Sequence, residues 1–176
     1  VYGFPAQNTL KIIKLCKKYK VKVIEDSSES LGAEIDNKKV GSFGDVSIFS
    51  IRSEKMIGVG EGGVICTNNL SYFNMIKLIA SRHAPFRKKN DPYWKKYYVS
   101  GEGYNYLMPH LLGAVARAQI ENFKSIILTK KKTIGRYYHN TFKDNEEYCI
   151  LQKTSKKFKS AFWLNAIYFK KINKLK

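Results

Sequence analysis

Residues 21–26, VKVIED, are the segment that most limits how this chain can fold. Three of them are β-branched, which favours a strand, and the run is short and apolar enough to be a buried one. Before it, residues 7–20 place Leu10, Ile13 and Cys16 at helical spacing among lysines, which predicts an amphipathic helix. A helix that leads directly into a buried strand predicts an α/β fold.

The rest of the chain continues this pattern. Hydrophobic periodicity predicts two further strands and two further helices, at residues 46–50 and 62–67 and at residues 70–81 and 111–138. Residues 37–39 are predicted to be a hairpin or loop tip, and residues 84–98, which contain two prolines, an irregular surface loop. The lysine-rich tail from residue 153 also contains aromatic side chains, so we expect a partly buried strand there.

The charge of the chain raises the question of a nucleic-acid partner. The 176 residues carry a net charge of +18, most of it beyond residue 61. Aromatic residues and lysines alternate in residues 93–98, which leaves a basic nucleic-acid-binding module as an alternative function. Lysines are nevertheless spread through every segment, a pattern typical of compositional bias rather than of a binding groove. We therefore do not expect nucleic acid to be the partner.

Cysteine usage and hydropathy indicate the compartment. Cys16, Cys66 and Cys149 are widely spaced and form no CxxC pair, which favours a reduced, cytoplasmic protein without a zinc site. No apolar run approaches the roughly 20 residues of a membrane-spanning helix, so no membrane partner is expected. Because the sequence opens at Val1 rather than at a methionine, we expect it to be a piece of a longer protein.

Chemically reactive side chains follow the ends of the predicted strands. Asp26 closes the first strand, Ser50 closes the second and precedes Lys55 by five residues, and the GEGG turn of residues 60–63 introduces the third. The carboxyl ends of parallel strands converge on one crevice. An acid, a hydroxyl, a lysine and a glycine-rich turn suit pyridoxal phosphate, which needs a lysine to bond to and an acid beside its ring nitrogen. Acid and lysine pairs occur in every α/β domain, so these spacings alone are weak support.

Several motifs, in one order, carry a resemblance to a known family. Residues 23–33, VIEDSSESLGA, resemble the family segment VEDAAEALG. The other matching segments are YGFPA at 2–6, VGSFGDV at 40–46, FS at 49–50 with Lys55 five positions on, GEGG at 60–63, GYNYLM at 103–108 and AVARAQ at 114–119. Together they resemble the pyridoxal-phosphate-dependent nucleotide-sugar aminotransferases of the DegT type.

The resemblance implies a fold and a division of the chain. Residues 1–122 would be the central part of a fold-type I large domain, with a mixed, mostly parallel sheet and flanking helices. Residues 123–176 would be a linking helix and the beginning of a truncated C-terminal small domain. Chains of the family are much longer, and the parts that bind the cofactor phosphate and stack on its ring precede Tyr2. We therefore expect this piece alone to be weakly active or inactive.

The resemblance also implies an activity and its residues. It implies transfer of an amino group, from glutamate, to a nucleotide-linked keto-sugar by a homodimer. Lys55 would be the catalytic lysine that bonds to the cofactor and shuttles the proton, and Asp26 would pair with the protonated ring nitrogen. Ser50 would donate to the cofactor phosphate, and Asn105 would do so across the dimer interface. Glu29 would lie close to cofactor and substrate.

Simpler interpretations remain for these residues. Asp26 could cap a strand end, Ser50 could bind a local backbone group, Lys55 could be a surface lysine and Asn105 could shape a turn. The chain could also be a non-catalytic family member that senses a sugar ligand. A spectroscopic test of the half-reaction would separate that regulator from an enzyme.

Two further residues are not expected to bind a ligand, and the chain departs from the family pattern at two places. His83 is expected to be a surface histidine, and Trp163, in a segment that resembles the family's YWM strand, a core residue rather than a ligand. Leu107 stands where the family has arginine. Residues 51–54, IRSE, replace the usual aromatic and small residues before Lys55 and could alter the loop that presents it.

Overall fold

The structure, a computed structural model, describes residues 1–84, 88–152 and 154–170. The α-helices of this part are α1 (Thr9–Lys18), α2 (Leu70–Ala80), α3 (His110–Glu121) and α4 (Thr129–Phe142). Its strands are β1 (Ile24–Asp26), β2 (Glu34–Ile35), β3 (Lys38–Lys39), β4 (Val46–Ser50), β5 (Gly63–Thr67), β6 (Cys149–Leu151), β7 (Phe158–Lys159) and β8 (Ile167–Phe169). The predicted α/β class is confirmed.

The central sheet has the order β1-β4-β5, with β1 parallel to β4 and β4 antiparallel to β5. A mixed sheet was predicted and is found. In the described residues the central sheet has one parallel and one antiparallel pairing, and the pairings of the other strands are antiparallel. Residues 51–62 join β4 to β5 without a crossover helix, as is usual between antiparallel neighbours.

Strand β1 is shorter and more open than residues 21–26 predict. The backbone of Val23 bonds to Asp45 instead of continuing the ladder, with the Asp45 N–H donating to the Val23 carbonyl at 2.9 Å. Of the three residues of β1, Glu25 alone is buried, and Ile24 is 68% exposed. The prediction of a buried strand is therefore wrong for this edge strand.

A second sheet joins the early part of the chain to its tail. Strands β2 and β3 form a hairpin whose turn residues, Asp36 and Asn37, both have positive φ, as such tight turns require. Strand β7 pairs with the other edge of β2, so Phe158 lies opposite Ile35. β6 and β8 form a separate antiparallel pair. The predicted tail strand is thus two strands, and the tail residues 153 and 171–176 lie outside the described residues.

The long helix predicted at residues 111–138 is interrupted. Between α3 and α4 the chain makes a π-helical turn, Phe123–Leu128. Such a turn shifts the side chains that follow it, and here the side chains of Phe123 and Leu128 occupy the space that a Cβ at Gly32 would need. The predicted loop at 84–98 contains a 3₁₀ helix, Tyr93–Tyr97, and residues 85–87 of it lie outside the described part. The predicted boundary at residue 122 stays a prediction.

Two hydrophobic clusters form the core. One contains Ala33, Ile35, Val40, Met56, Leu128, Ala161 and Trp163. The other contains Ile51, Ile57, Val59 and Ala116. Leu31 and Phe123 contact both clusters. The segment that follows β4 contributes to both clusters, with Met56 in the first and Ile51, Ile57 and Val59 in the second. In the part of the chain that the structure describes, no helix has both the length and the apolar character needed to cross a membrane.

A buried carboxylate holds the crossover between β1 and β4. Glu25 is 8% exposed, and its oxygens accept hydrogen bonds from the backbone N–H groups of Gly41 at 2.9 Å and of Phe43 and Gly44 at 2.5 Å. Backbone bonds to a carboxylate are among the stronger hydrogen bonds in proteins. Gly44 has no room for a side chain, since a Cβ would lie 2.8 Å from the Val23 carbonyl oxygen. Glu25 thus fixes the loop that aligns β4 with β1.

We expect Glu25→Gln to lower the free energy of unfolding by about 2 kcal/mol, because the amide NH₂ would face one of these backbone donors. Glu102→Gln, a change at an exposed glutamate, is the control and should leave stability unchanged. Urea denaturation measures both variants. Equal midpoints for the two variants would contradict the role given to Glu25.

A second prediction concerns acid stability. A hydrogen bond from Lys39 holds the pKa of Glu34 below its usual value, and the charges of Lys39 and Lys132 act in the same direction. The stabilisation from a lowered carboxyl pKa is present above the unfolded-state value and is lost as the pH falls through the folded-state value. Glu34→Gln should therefore flatten the decline in stability below about pH 4.5, as measured by denaturant midpoints across that range. An unchanged acid decline would contradict it.

Candidate active site

Asp26 lies at the carboxyl end of β1, at the edge of the central sheet. Its carboxylate accepts a hydrogen bond from the Ser28 N–H at 3.0 Å. Hydrogen bonds from the hydroxyl and the backbone of Ser28 lower the pKa of Asp26, and the positive charge of Lys55 adds to this effect. Asp26 is therefore an exposed, firmly ionised carboxylate that lies within electrostatic reach of Lys55.

Lys55 is presented by the segment between β4 and β5, which is folded back on itself. Backbone bonds close it at both ends, from Ile51 N–H to the Gly62 carbonyl at 3.0 Å and from Ser53 N–H to the Gly60 carbonyl at 2.9 Å. Ile51 is 1% exposed, so the beginning of the segment is anchored in the core. The unusual residues 51–54 do not disrupt this loop.

The ammonium group of Lys55 lies in a small, mostly enclosed space. Its side chain is 12% exposed, and Nζ lies 3.7 Å from Oε1 of Glu29. The same Nζ lies 3.9 Å from the centroid of the Trp163 ring. The structure thus brings Lys55 together with Glu29 and Trp163, and the charge of Lys55 acts on Asp26 from farther away. Lys55 is not the free surface lysine of the simpler interpretation.

The two other candidate residues, Ser50 and Asn105, lie on different elements. Ser50 ends β4, two residues beyond the position paired with Asp26, so it shares the carboxyl edge of the parallel pair. Its hydroxyl accepts a long bond from the Arg52 N–H at 3.4 Å. Asn105 is exposed, and its backbone forms a bridge with Ser81. Within the described residues, no hydrogen bond joins the side chain of Ser50 or of Asn105 to Lys55.

Backbone hydrogen bonds join the loop that carries Asn105 to the end of α2. The Tyr104 N–H donates to the Ile79 carbonyl at 2.7 Å, and the Tyr106 N–H donates to the Ala80 carbonyl at 2.9 Å. His83 also connects the two segments, because its Nδ1 lies 2.8 Å from the Ser100 hydroxyl. The backbone on both sides of Asn105 is therefore fixed, and the residue is exposed on the surface.

Trp163 is the residue whose role sequence analysis missed. It is 6% exposed, as expected of a core residue, but it lies in a bend between β7 and β8 rather than in a strand. Its indole N–H donates to the carbonyl of Glu54 at 2.6 Å, across 109 residues of sequence. Phe162 has a φ of 53°, which breaks the extended backbone there. No local pattern could have revealed a contact between such distant segments.

The donor set determines which bound group this site fits. It offers an ionised carboxylate, a nearly enclosed primary amine and a strand-end hydroxyl, from Asp26, Lys55 and Ser50. These are the groups that a cationic, phosphorylated aldehyde requires, and the residues therefore fit pyridoxal phosphate. Residues 1–84, 88–152 and 154–170 bring no three His, Cys, Asp or Glu side chains into an arrangement that could hold a metal ion.

Comparison with known proteins gives the relationship of the chain. Residues 1–175 match the DegT/DnrJ/EryC1/StrS aminotransferase family. GDP-perosamine synthase of Escherichia coli is 30% identical over 167 residues, which cover 95% of this chain and 43% of that protein. UDP-4-amino-4,6-dideoxy-N-acetyl-beta-L-altrosamine transaminase of Campylobacter jejuni is 33% identical over 141 residues, which cover 80% of this chain and 36% of that protein.

Solved structures show the same fold. PseC of Helicobacter pylori, an aminotransferase involved in the biosynthesis of pseudoaminic acid, is similar with a TM-score of 0.79 and 28% identity over 93% of this chain and 42% of its own. GDP-4-keto-6-deoxy-D-mannose-3-dehydratase of E. coli, solved with bound hydrated PLP, has a TM-score of 0.82 and 24% identity over 99% and 46%. A dehydratase therefore shares the fold, so the fold alone does not decide the reaction.

These relatives assign the chain to a family, and each of them is longer than the chain. The chain spans less than half the length of the relatives that it matches. The match to the family nevertheless runs through nearly all of its residues, including those around Asp26, Lys55 and Asn105. The chain belongs to the DegT/DnrJ/EryC1/StrS aminotransferase family.

Proposed function

We propose that the protein containing this chain is a pyridoxal-phosphate-dependent aminotransferase that moves an amino group to a nucleotide-linked keto-sugar. The observation that carries the proposal is the grouping of Lys55 with Glu29 and Asp26, in a chain of an aminotransferase family. The names of the relatives support the substrate class, because two of them act on, or produce, GDP- or UDP-linked amino sugars. Glutamate is proposed as the amino donor.

The proposed roles follow from the environment of each side chain. Pyridoxal phosphate, when bound, supplies an electron sink for the bond that is broken at the substrate carbon. Asp26, ionised and exposed, would hold a proton on the ring nitrogen. Ser50, at the adjacent strand end, would donate a hydrogen bond from its hydroxyl to a phosphate oxygen. Neither role requires a change in the backbone around these residues.

Lys55 would serve both as the attachment point and as the base. An amine is a base only when it is neutral and near the proton that it moves. The loop from Ile51 to Gly62 fixes the backbone of Lys55, and Glu29 lies 3.7 Å from Nζ, where it would stabilise the protonated amine after the proton has been taken. Glu29 is therefore proposed to act on the amine of Lys55.

Asn105 is proposed to serve the site of a second copy. Its loop is fixed to the end of α2 by backbone bonds, and the residue is exposed. An exposed side chain on a fixed backbone suits a contact made across an interface, because little of the loop must be ordered on binding. We therefore propose a homodimer in which Asn105 donates to the cofactor phosphate of the partner subunit.

The division of the chain and its location complete the proposal. Residues 1–122 are proposed to belong to the large domain and residues 123–176 to the linking helix and the start of the small domain. The π-helical turn at Phe123–Leu128 supports a boundary there, because it interrupts the helix at that point. A cytoplasmic location is proposed from the reduced cysteines and from the family.

Replacing Lys55 tests the attachment point. Mixing the protein with pyridoxal phosphate should produce the visible absorbance band of the lysine-bound cofactor, and Lys55→Ala should abolish it. Lys11→Ala, which changes an exposed lysine of α1, is the matched control and should keep the band. A band that persists in Lys55→Ala would exclude Lys55 as the attachment point.

Replacing Asp26 tests the partner of the ring nitrogen. A charge-assisted hydrogen bond contributes about 1.5–3 kcal/mol, so Asp26→Asn should weaken cofactor binding by about 10- to 100-fold. Titration by absorbance measures the affinity, with Asp144→Asn, a change at an exposed aspartate, as control. Equal affinities in the two variants would leave Asp26 as a strand-end cap only.

A further inference from the structure

Trp163 links the tail of the chain to the loop that presents Lys55. Its indole N–H donates to the Glu54 carbonyl at 2.6 Å, and Glu54 is the residue directly before Lys55. A buried indole N–H needs an acceptor, and here the acceptor is a backbone atom beside the Cα of the lysine. The bond therefore restrains the backbone from which the Lys55 side chain starts.

The face of the same ring contacts the other end of the lysine. Nζ of Lys55 lies 3.9 Å from the ring centroid, well within the range of a cation–π interaction. Two further charged groups act on this ammonium: Glu29, at 3.7 Å, and Asp26, whose pKa it helps to lower. Trp163 thus holds both ends of the lysine, while the carboxylates balance its charge.

Trp163 is itself held from several sides. Lys131 of α4 donates to its carbonyl oxygen at 3.0 Å, and the ring of Tyr2 lies 6.3 Å from its own. The backbone of Gly3 approaches so closely that a Cβ there would lie 2.4 Å from the backbone nitrogen of Trp163. These contacts fix the backbone of Trp163, while burial and the bond to Glu54 restrain its indole, as a residue that orients another side chain requires.

We propose that Trp163 is a positioning residue for Lys55: its N–H fixes the Glu54 carbonyl, and its ring face is the resting place of the lysine ammonium when the amine is not bonded to another group. The inference rests on the proposed function, in which Lys55 alternates between a bonded and a free state. It assigns the tail of the chain a direct part in the site.

The test measures the reactivity of Lys55 in protein freed of cofactor. An amine-acylating reagent is added at fixed pH, and mass spectrometry follows the labelling of the peptide that contains Lys55. Loss of a cation–π contact of about 0.5–2 kcal/mol should accelerate labelling by about 2- to 30-fold in Trp163→Leu. Trp163→Phe keeps a ring face and loses the N–H, so its rate should lie between wild type and Trp163→Leu.

Two controls separate positioning from general loosening. Trp94→Leu removes the other tryptophan of the chain, which is 63% exposed, and should leave Lys55 labelling at the wild-type rate. Lys132, a partly buried lysine of α4, is the internal reference, because general loosening would accelerate its labelling together with that of Lys55. Equal Lys55 rates in all tryptophan variants would overturn the proposal, as would parallel rises at Lys132.

A reciprocal measurement decides the matter even if Trp163→Leu does not fold. In a Trp94→Phe background Trp163 is the sole tryptophan, and its fluorescence should change when Lys55→Met removes the ammonium from its ring face. Lys132→Met should leave the emission unchanged. Identical emission after both lysine changes would overturn the proposed contact.

Failure of this inference can be told from failure of the proposed function. Borohydride reduction of the loaded protein fixes the cofactor to its lysine, and mass spectrometry of the peptides identifies that residue. An adduct at Lys55 with unchanged labelling rates overturns the role of Trp163 alone. Accelerated labelling with an adduct at another lysine supports the contact and overturns the function proposed for Lys55.

Discussion

The buried carboxylate of Glu25 is the interaction on which the arrangement of this chain depends. It binds three backbone N–H groups of the crossover that leads from β1 to β4 and so sets how β4 lies beside β1. The parallel pairing in turn places Asp26 and Ser50 at one edge of the sheet. A structural acid one residue before a functional one explains why the two adjacent carboxylates have such different surroundings: Glu25 is buried, and Asp26 is exposed.

The sequence predicted the features that depend on local pattern. The two strands after the first, at Val46–Ser50 and Gly63–Thr67, and the helix Leu70–Ala80 lie where their periodicity put them, because hydrophobic spacing and capping act over a few residues. At the beginning of that helix the Asn69 side chain accepts a bond from the Tyr72 N–H. The motif around Asp26 and Lys55 supplied the candidate site residues, whose roles stay predictions, and the structure places Glu29 of that motif beside Lys55.

The features that depend on distant contacts could not be predicted in this way. The π-helical turn brings Phe123 and Leu128 to the core clusters, and no local pattern within the helix predicts it. The exposure of the Ile24 side chain depends on which of the described residues pack against it, and its β-branched character does not reveal this. Trp163 was correctly expected in the core, yet its contact with Lys55 needed the tail and the loop to be seen together.

The bonds between Gly3 and the tail have a consequence for the order in which the site can form during synthesis. The Gly3 carbonyl accepts bonds from the Ala161 N–H and the Ser160 hydroxyl, and the Trp163 indole reaches back 109 residues to Glu54. Contacts of such long sequence separation are slow to form, because the ends of a long loop must first be brought together. Trp163 is translated 109 residues after Glu54, so during synthesis the Lys55 amine lacks this aromatic neighbour until the later segment has emerged.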